Sequence, residues 1–322
     1  MAVGPVLLGR ATEDCPAQET VRGQCARVLR IIQETGYVAD PIARRLKQMG
    51  NRMIGVYTYE ALFPLEREDF FYPFLAGIEE EAQRLDHDLL LLTSGRAGGG
   101  SLGLSTGATR LRLADCCILL GQYMPSEELQ FLAGSGFPFV SIGRRDDAGG
   151  PISYVAADYE QAVGALVDRA RELGHETFVY LGYGSGVESY VDRAKGFDAQ
   201  AGRAGIHLPP VGDPHEWIRV VQASGATVVF VEQHEQVEQL TSALADEGLS
   251  VPSAFSLVSL SGSPDSPDEL TGFELPRREM GRLAVSMLSE PGRHEPQVLL
   301  GCSPVPGRTL AEAPARRDAA AG

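Results

Sequence analysis

The chain of 322 residues lacks the features that mark a membrane protein, a metal site or a disulfide scaffold. No window approaches the roughly 18 uncharged apolar residues that a membrane-spanning helix requires. The opening Met1-Ala2-Val3-Gly4-Pro5 carries no basic stretch ahead of a long apolar run. Neither an export signal nor a membrane span is therefore expected, and the expected location is the cytoplasm. Cysteine is sparse and odd in number: Cys15, Cys25, Cys116, Cys117 and Cys302, with no C-x-x-C pair. This spacing argues against zinc and against a disulfide framework. The apolar run around Cys116-Cys117 suits reduced, buried thiols. Positive charge is also scarce, with 28 Lys and Arg against 43 Asp and Glu for a net charge of −15. A general nucleic-acid binder is excluded by that balance.

What is present is a chain 43% apolar, long enough to bury a full core and to form two domains. The charge is unevenly spread. Residues 1–52 hold eight basic and five acidic residues, whereas 53–322 hold twenty and thirty-eight. Between Arg22 and Arg52 seven basic residues face two acidic ones. A small basic head thus precedes a large acidic body that phosphate would repel, so any nucleic-acid contact falls to the head.

Residues 1–24 show no period, and Gly4, Pro5, Gly9 and Pro16 interrupt any helix. From Cys25 the stripe Val28, Leu29, Ile31, Ile32 predicts a helix capped at Gly36. Asp40-Pro41 then opens a second short helix that stops at Gly50, with Arg44, Arg45 and Lys47 around Ile42 and Leu46. A helix of about two and a half turns is marginal alone in water.

Beyond Met53 short apolar runs alternate with amphipathic segments. Strands are expected at Met53–Tyr57, Asp88–Thr93, Cys116–Leu120, Phe137–Ile142, Thr177–Leu181, Thr227–Val231 and Phe255–Leu260. Helices are expected at Phe71–Leu85, Ser126–Ala133, Asp158–Leu173, Glu188–Ala204, Asp213–Gln222, Gln233–Glu247 and Arg277–Leu288. Runs this apolar suit a parallel sheet buried on both faces. The expected fold class is α/β, two doubly wound parallel-sheet lobes with a cleft between them, preceded by a small partial α-helical head. The expected organisation is 1–24 patternless, 25–52 head and hinge helix, 53–155 first lobe, and 156–274 second lobe. Residues 275–292 return to the first lobe, 293–310 form a crossing C-terminal segment with short runs near Gln297–Leu300 and Arg308–Leu310, and 311–322 form a low-complexity, disordered tail.

Enzyme motifs fail when tested. Gly182-Tyr183-Gly184-Ser185-Gly186 lies between a strand and a helix, but the sixth position is Val187, where a dinucleotide fingerprint needs glycine. A turn serving another cleft ligand fits better. Gly98-Gly99-Gly100 lacks the Gly-Lys-Ser/Thr ending of a phosphate loop. Four His-Glu pairs lack the second histidine of HExxH. Two G-x-S-x-G strings, around Ser101 and Ser105, fall inside the Gly/Ser-rich segment 94–107 and not on a strand-to-helix elbow. No catalytic residue, cofactor or metal is expected, and the chain is read as a non-enzyme.

From Arg27 to Val56 the chain closely resembles the lac-repressor (LacI/GalR) family of transcription factors, with Gly36-Tyr37 ending a headpiece helix, Asp40-Pro41-Ile42-Ala43-Arg44-Arg45-Leu46 as hinge helix, and Ile54-Gly55-Val56 opening a strand. The likeness continues through Phe70-Phe71, Gly77-Ile78-Glu79, Phe137-Pro138-Phe139-Val140, Glu172-Leu173-Gly174-His175, Arg193-Ala194-Lys195-Gly196-Phe197, Leu270-Thr271 and Gly281-Arg282-Leu283-Ala284. It implies periplasmic-binding-protein-like lobes, a homodimer, operator DNA bound through the hinge helix, and a small carbohydrate-like effector in the cleft. The implied function is a transcriptional regulator, read as a repressor. By motif position Leu46 would wedge into the minor groove, Ala43 would pack close to it, and Arg44, Arg45 and Lys47 would meet phosphate. The alternative for Leu46 is an ordinary core leucine.

The chain also departs from that pattern. Nothing in residues 1–20 matches the family's helix-turn-helix, which puts major-groove readout in doubt and leaves two explanations, a misplaced start or a genuine loss. A ligand-binding module or decayed regulator without sequence-specific DNA binding is therefore the alternative function. In the cleft, Gln233-His234 stands where relatives have Asn-Asp, and Ser261-Gly262 follows a strand that relatives end with Asp. Two carboxylates that would accept sugar hydroxyls are thus expected to be missing. Arg193 remains as a candidate donor to ligand oxygens, its alternative being an ion pair with Asp192 or Glu188. Phe70 and Phe71 would wall the cleft. Trp217 would stack on a sugar or sit in the core. Asp158 would face ligand or cap a helix. His234 in place of Asp hints at an effector bearing acceptors, or a weakly polar one.

Overall fold

The computed structural model describes residues 52–60, 70–93, 110–262 and 270–314, all within the compact unit Arg52–Gly322. The hinge residues Ala43, Arg44, Arg45, Leu46 and Lys47, the segment 94–109 and the tail from 315 lie outside them. The first sheet contains β1 (Met53–Thr58), β2 (Asp88–Thr93), β3 (Cys116–Leu119), β4 (Phe139–Ile142), β5 (Tyr154–Ala157) and β11 (Gln297–Leu300) in the order β2-β1-β3-β4-β5-β11. The second contains β6 (Phe178–Leu181), β7 (Gly205–Leu208), β8 (Val228–Val231), β9 (Ser256–Ser259), β10 (Thr271–Glu274) and β12 (Ser303–Val305) in the order β7-β6-β8-β9-β10-β12. Every pairing is parallel except β10 with β12.

The helices are α1 (Tyr72–Arg84), α2 (Ser126–Gly134), α3 (Tyr159–Glu172), α4 (Glu188–Ala201), α5 (Pro214–Ser224), α6 (His234–Asp246) and α7 (Arg277–Ser289). They cover both faces of each sheet. In the second sheet Phe178, Tyr180 and Phe230 point into a cluster with Val163, Val167 and Phe197 of α3 and α4. Their alternates Val179, Leu181 and Val229 meet Ile218 and Leu240 of α5 and α6. Strands buried on both faces read as unbroken apolar runs, which is why these were legible. Each such side chain contributes about 1.5–3 kcal/mol on burial.

One helix pair, α1 with α7, depends on close backbone approach at two points. A Cβ on Gly77 of α1 would lie 2.0 Å from the Arg278 carbonyl oxygen, and one on Gly281 of α7 would lie 2.3 Å from that of Phe74. Glycines at both positions let the two helices touch backbone to backbone, which explains why α7, late in the chain, returns to the first lobe.

Four strands differ from expectation. Residues 154–157, taken as a lobe boundary, form the fully buried β5. The run Gly205–Leu208 is an edge strand of mixed polarity, and β10 and β12 are only four and three residues long. The edge strands β7 and β12 lack an apolar period. Arg308–Leu310 forms no strand.

Candidate functional site

The chain crosses between the sheets three times: from β5 into α3, from β10 into α7, and from β11 into β12. The carboxyl ends of the strands face a common cleft. Its lining comes from the segments after β3 (Leu120, Gly121, Gln122), β4 (Gly143, Arg144, Arg145), β5 (Tyr159), β8 (Glu232, Gln233) and β9 (Ser261), with Phe70, Phe71, Arg193, Leu275 and Met280. In both sheets the order of strands reverses beside the first strand, between β1 and β3 and between β6 and β8. Ligands of open α/β sheets bind at such switch points. The free space in the cleft is about 80 Å³, several times what one water needs.

One wall is aromatic. Phe70 and Phe71 meet edge to face at 5.0 Å, Phe71 is buried, and the Arg277 guanidinium sits 5.5 Å over the Phe70 ring. Arg193 of α4, 4% exposed, stacks 4.1 Å over Tyr159. Its Nε donates to the Leu260 carbonyl at 2.8 Å and its Nη1 to that of Ser189 at 3.1 Å. Among the described residues it makes no ion pair, so neither Asp192 nor Glu188 is its partner.

The partner of Asp192 is Arg144, which reaches across from the first lobe. Nη2 lies 2.6 Å from Oδ1 and Nε 3.1 Å from Oδ2. Burial works against the charge of Arg144, yet its bonds to Asp192 and Asp146 hold its pKa above the ordinary value. Next to it Arg145, 8% exposed, donates to the carbonyls of Arg144 and Gly121 and lies 3.6 Å from Glu188. Burial lowers its pKa. Glu188 also accepts from the Asp146 backbone N–H at 2.8 Å. Three polar links thus tie the loop after β4 to α4.

Glu232 is a carboxylate that the sequence reading did not expect in the cleft. It is fully buried, accepts from the Tyr180 hydroxyl at 2.5 Å, and accepts from the Tyr183 backbone N–H at 2.6 Å. Burial and the facing carboxylate raise the pKa of Tyr180, keeping it a donor. The Gly182–Gly186 turn wraps this group: a Cβ on Gly182 would lie 2.5 Å from Cβ of Glu232. Gly182 makes room for that side chain, whereas Gly184 and Gly186 serve the turn through positive φ angles of 60° and 90°. The signal for Glu232 was an acidic residue immediately after a buried strand, one place before the position compared with relatives. Arg144 and Arg145 carried the same kind of signal after β4.

Of the residues expected at the site, Phe70, Phe71 and Arg193 meet in the cleft. The other three do not line it. Trp217, 4% exposed, packs in the outer core of the second lobe with Ile218 and Val221, because its helix turns an apolar face onto the sheet. Asp158 caps α3, accepting from the Gln161 backbone N–H at 3.0 Å. His234 stands 3.4 Å from Glu238, one helical turn on, instead of entering the cleft. No group of three His, Cys, Asp or Glu among the described residues could hold a metal. The thiols of Cys116 and Cys302 are pushed up to about 12 by burial, so neither is a ready nucleophile.

Residues 167–310 match the family described as a periplasmic binding protein-like domain. No curated protein matches the chain. Among solved structures the chain is similar to transcription regulator CcpA of Lactococcus lactis, at 18% identity and a TM-score of 0.66, covering 80% of this chain and 98% of that one. It is similar to the lac repressor dimer bound to operator and the anti-inducer ONPF, at 18% identity and a TM-score of 0.67, covering 89% of both chains. It also resembles a LacI family transcriptional regulator from Enterococcus faecium with bound ribose, at 19% identity and a TM-score of 0.61, covering 81% of this chain and 99% of that one. Residues 167–310 thus resemble a periplasmic binding protein-like domain, and the chain shares its fold with these solved structures.

Proposed function

We propose that the protein is a cytoplasmic, homodimeric, DNA-binding transcriptional regulator, a repressor, controlled by a small sugar-like effector held between the lobes. It is not an enzyme. The observation that carries this reading is the cleft itself: aromatic walls and buried arginines at the carboxyl ends of both sheets, spanned by the Arg144–Asp192 pair. A ligand touching both lobes changes the balance between closed and open forms, and only a ligand that favours one form shifts it. The hinge segment then carries the response to DNA, with Leu46 and Ala43 at the minor groove and Arg44, Arg45 and Lys47 on phosphate. The hinge sequence and the solved lac repressor dimer on its operator support this part. The patternless residues 1–24 favour a second reading, a ligand-binding module without sequence-specific DNA contact.

The deciding experiment titrates the full chain against a promoter fragment of its own gene over a range of salt. The regulator reading expects specific binding that weakens steeply with salt and weakens further in Leu46→Ala. A chain that prefers no promoter sequence over random duplex supports the second reading instead.

A further inference from the structure

The hydrogen-bond ledger of the cleft does not balance, and the imbalance has a sign. The carboxylates that line it are already engaged. Glu232 receives Tyr180 and Tyr183, and Asp192 receives two nitrogens of Arg144. Its donors are not. Among the described residues the buried Nε of Arg145 and the buried hydroxyl of Ser189 have no hydrogen-bond partner, and both residues line the cleft. Native proteins rarely leave such groups unmet, since each orphaned donor sacrifices its hydration. Arg193 adds a buried positive charge that meets only carbonyl oxygens and the Tyr159 ring. These three residues are neighbours: Arg193 donates to the Ser189 carbonyl, and the adjoining Glu188 lies 3.6 Å from Arg145.

From this arrangement we infer that the effector carries an oxyanion, a carboxylate or a phosphate ester, seated against Arg145, Ser189 and Arg193 with its less polar body toward Phe70 and Phe71. The inference rests on the reading of the cleft as an effector site and narrows its ligand. A neutral polyol would leave the Arg193 charge uncompensated, whereas an oxyanion supplies both the countercharge and the missing acceptors. Planar guanidinium groups suit both carboxylate and phosphate geometry.

The test is calorimetric titration of the full chain with matched pairs: glucuronate against glucose, ribose 5-phosphate against ribose, and benzoate against benzyl alcohol. At least one acid is expected to bind tenfold or more tightly than its neutral partner, the scale of one charge-assisted hydrogen bond. The carboxylate and phosphate arms identify which oxyanion the site takes. Ser189→Ala removes a hydroxyl with no partner, so thermal stability should hold while affinity for the acid falls about tenfold. Arg193→Gln, with its fold checked by circular dichroism, should abolish the preference for the acid. Neutral partners binding as well as the acids overturn the proposal, and so does an absence of binding by any acid at millimolar concentration. Promoter binding in the same preparation separates the two failures. If it persists, only the ligand class is wrong; if it is also absent, the regulator reading falls with it.

Discussion

Arg144→Gln tests whether the two lobes are held together by the ion pair that spans them. With Arg144 bridging the lobes, the Asp192 side chain is 11% exposed and receives two hydrogen bonds from Arg144, while Lys195 stands 3.9 Å away. Removing Arg144 leaves that carboxylate buried with one distant, exposed cation. Breaking a fully buried pair costs about 3–5 kcal/mol. Here the remaining lysine and the partial exposure of both partners reduce the figure to about 2 kcal/mol. Opening the cleft returns Asp192 to water, so the penalty falls on the closed form alone. At 1.4 kcal/mol per decade, the ratio of closed to open forms should drop roughly thirtyfold. Interlobe distances from paired spin labels would show a shift to longer values, and small-angle scattering a larger radius of gyration. Asp192→Asn in the same background removes the stranded charge and should recover most of the closed population. The argument is refuted if Arg144→Gln leaves the distance distribution unchanged, or if the double variant opens as far as the single one.

Two further expectations follow from buried side chains. His175 is 1% exposed; its Nε2 donates to the Ala311 carbonyl at 3.0 Å, and its Nδ1 accepts from the Thr227 hydroxyl at 2.6 Å. Burial lowers its pKa, so the folded protein keeps it neutral while the unfolded chain protonates near pH 6.5. Its contribution is therefore intact above about pH 6.5 and declines as pH falls from there toward the depressed folded value. Urea unfolding should show this loss between pH 7 and 5 in the parent and a flatter profile in His175→Gln. A parent profile as flat as that of the variant would contradict the assignment. Trp217 lies in the second lobe's outer core, so its emission should be blue-shifted and indifferent to any cleft ligand, and Trp217→Ala should cost about 3–5 kcal/mol in unfolding free energy. Ligand-dependent quenching of that emission would return it to the site.

The alternation of buried strands with amphipathic helices was legible because it is a local property. A run such as Val228-Val229-Phe230-Val231 declares burial on both faces wherever it is placed. Helix starts were equally local: Asp158 and Asp213 accept backbone N–H groups of their own helices. Phe70, Phe71 and Arg193 were recognisable as cleft residues only through the order of short motifs along the chain. Trp217 and His234 could not be placed from sequence, because a large aromatic or an imidazole near a strand end looks alike whether its helix turns it inward or outward. The sequence by itself determined the two-lobed α/β class and the basic character of the head, since period and charge are written residue by residue. Only the tertiary structure decided that Glu232 braces the Gly182 turn, that Arg144 reaches Asp192 across the cleft, and that Arg145 and Ser189 hold unmet donors. Partners 48 residues apart, as Arg144 and Asp192 are, leave no periodic trace. Their meeting depends on how two sheets place the ends of their strands.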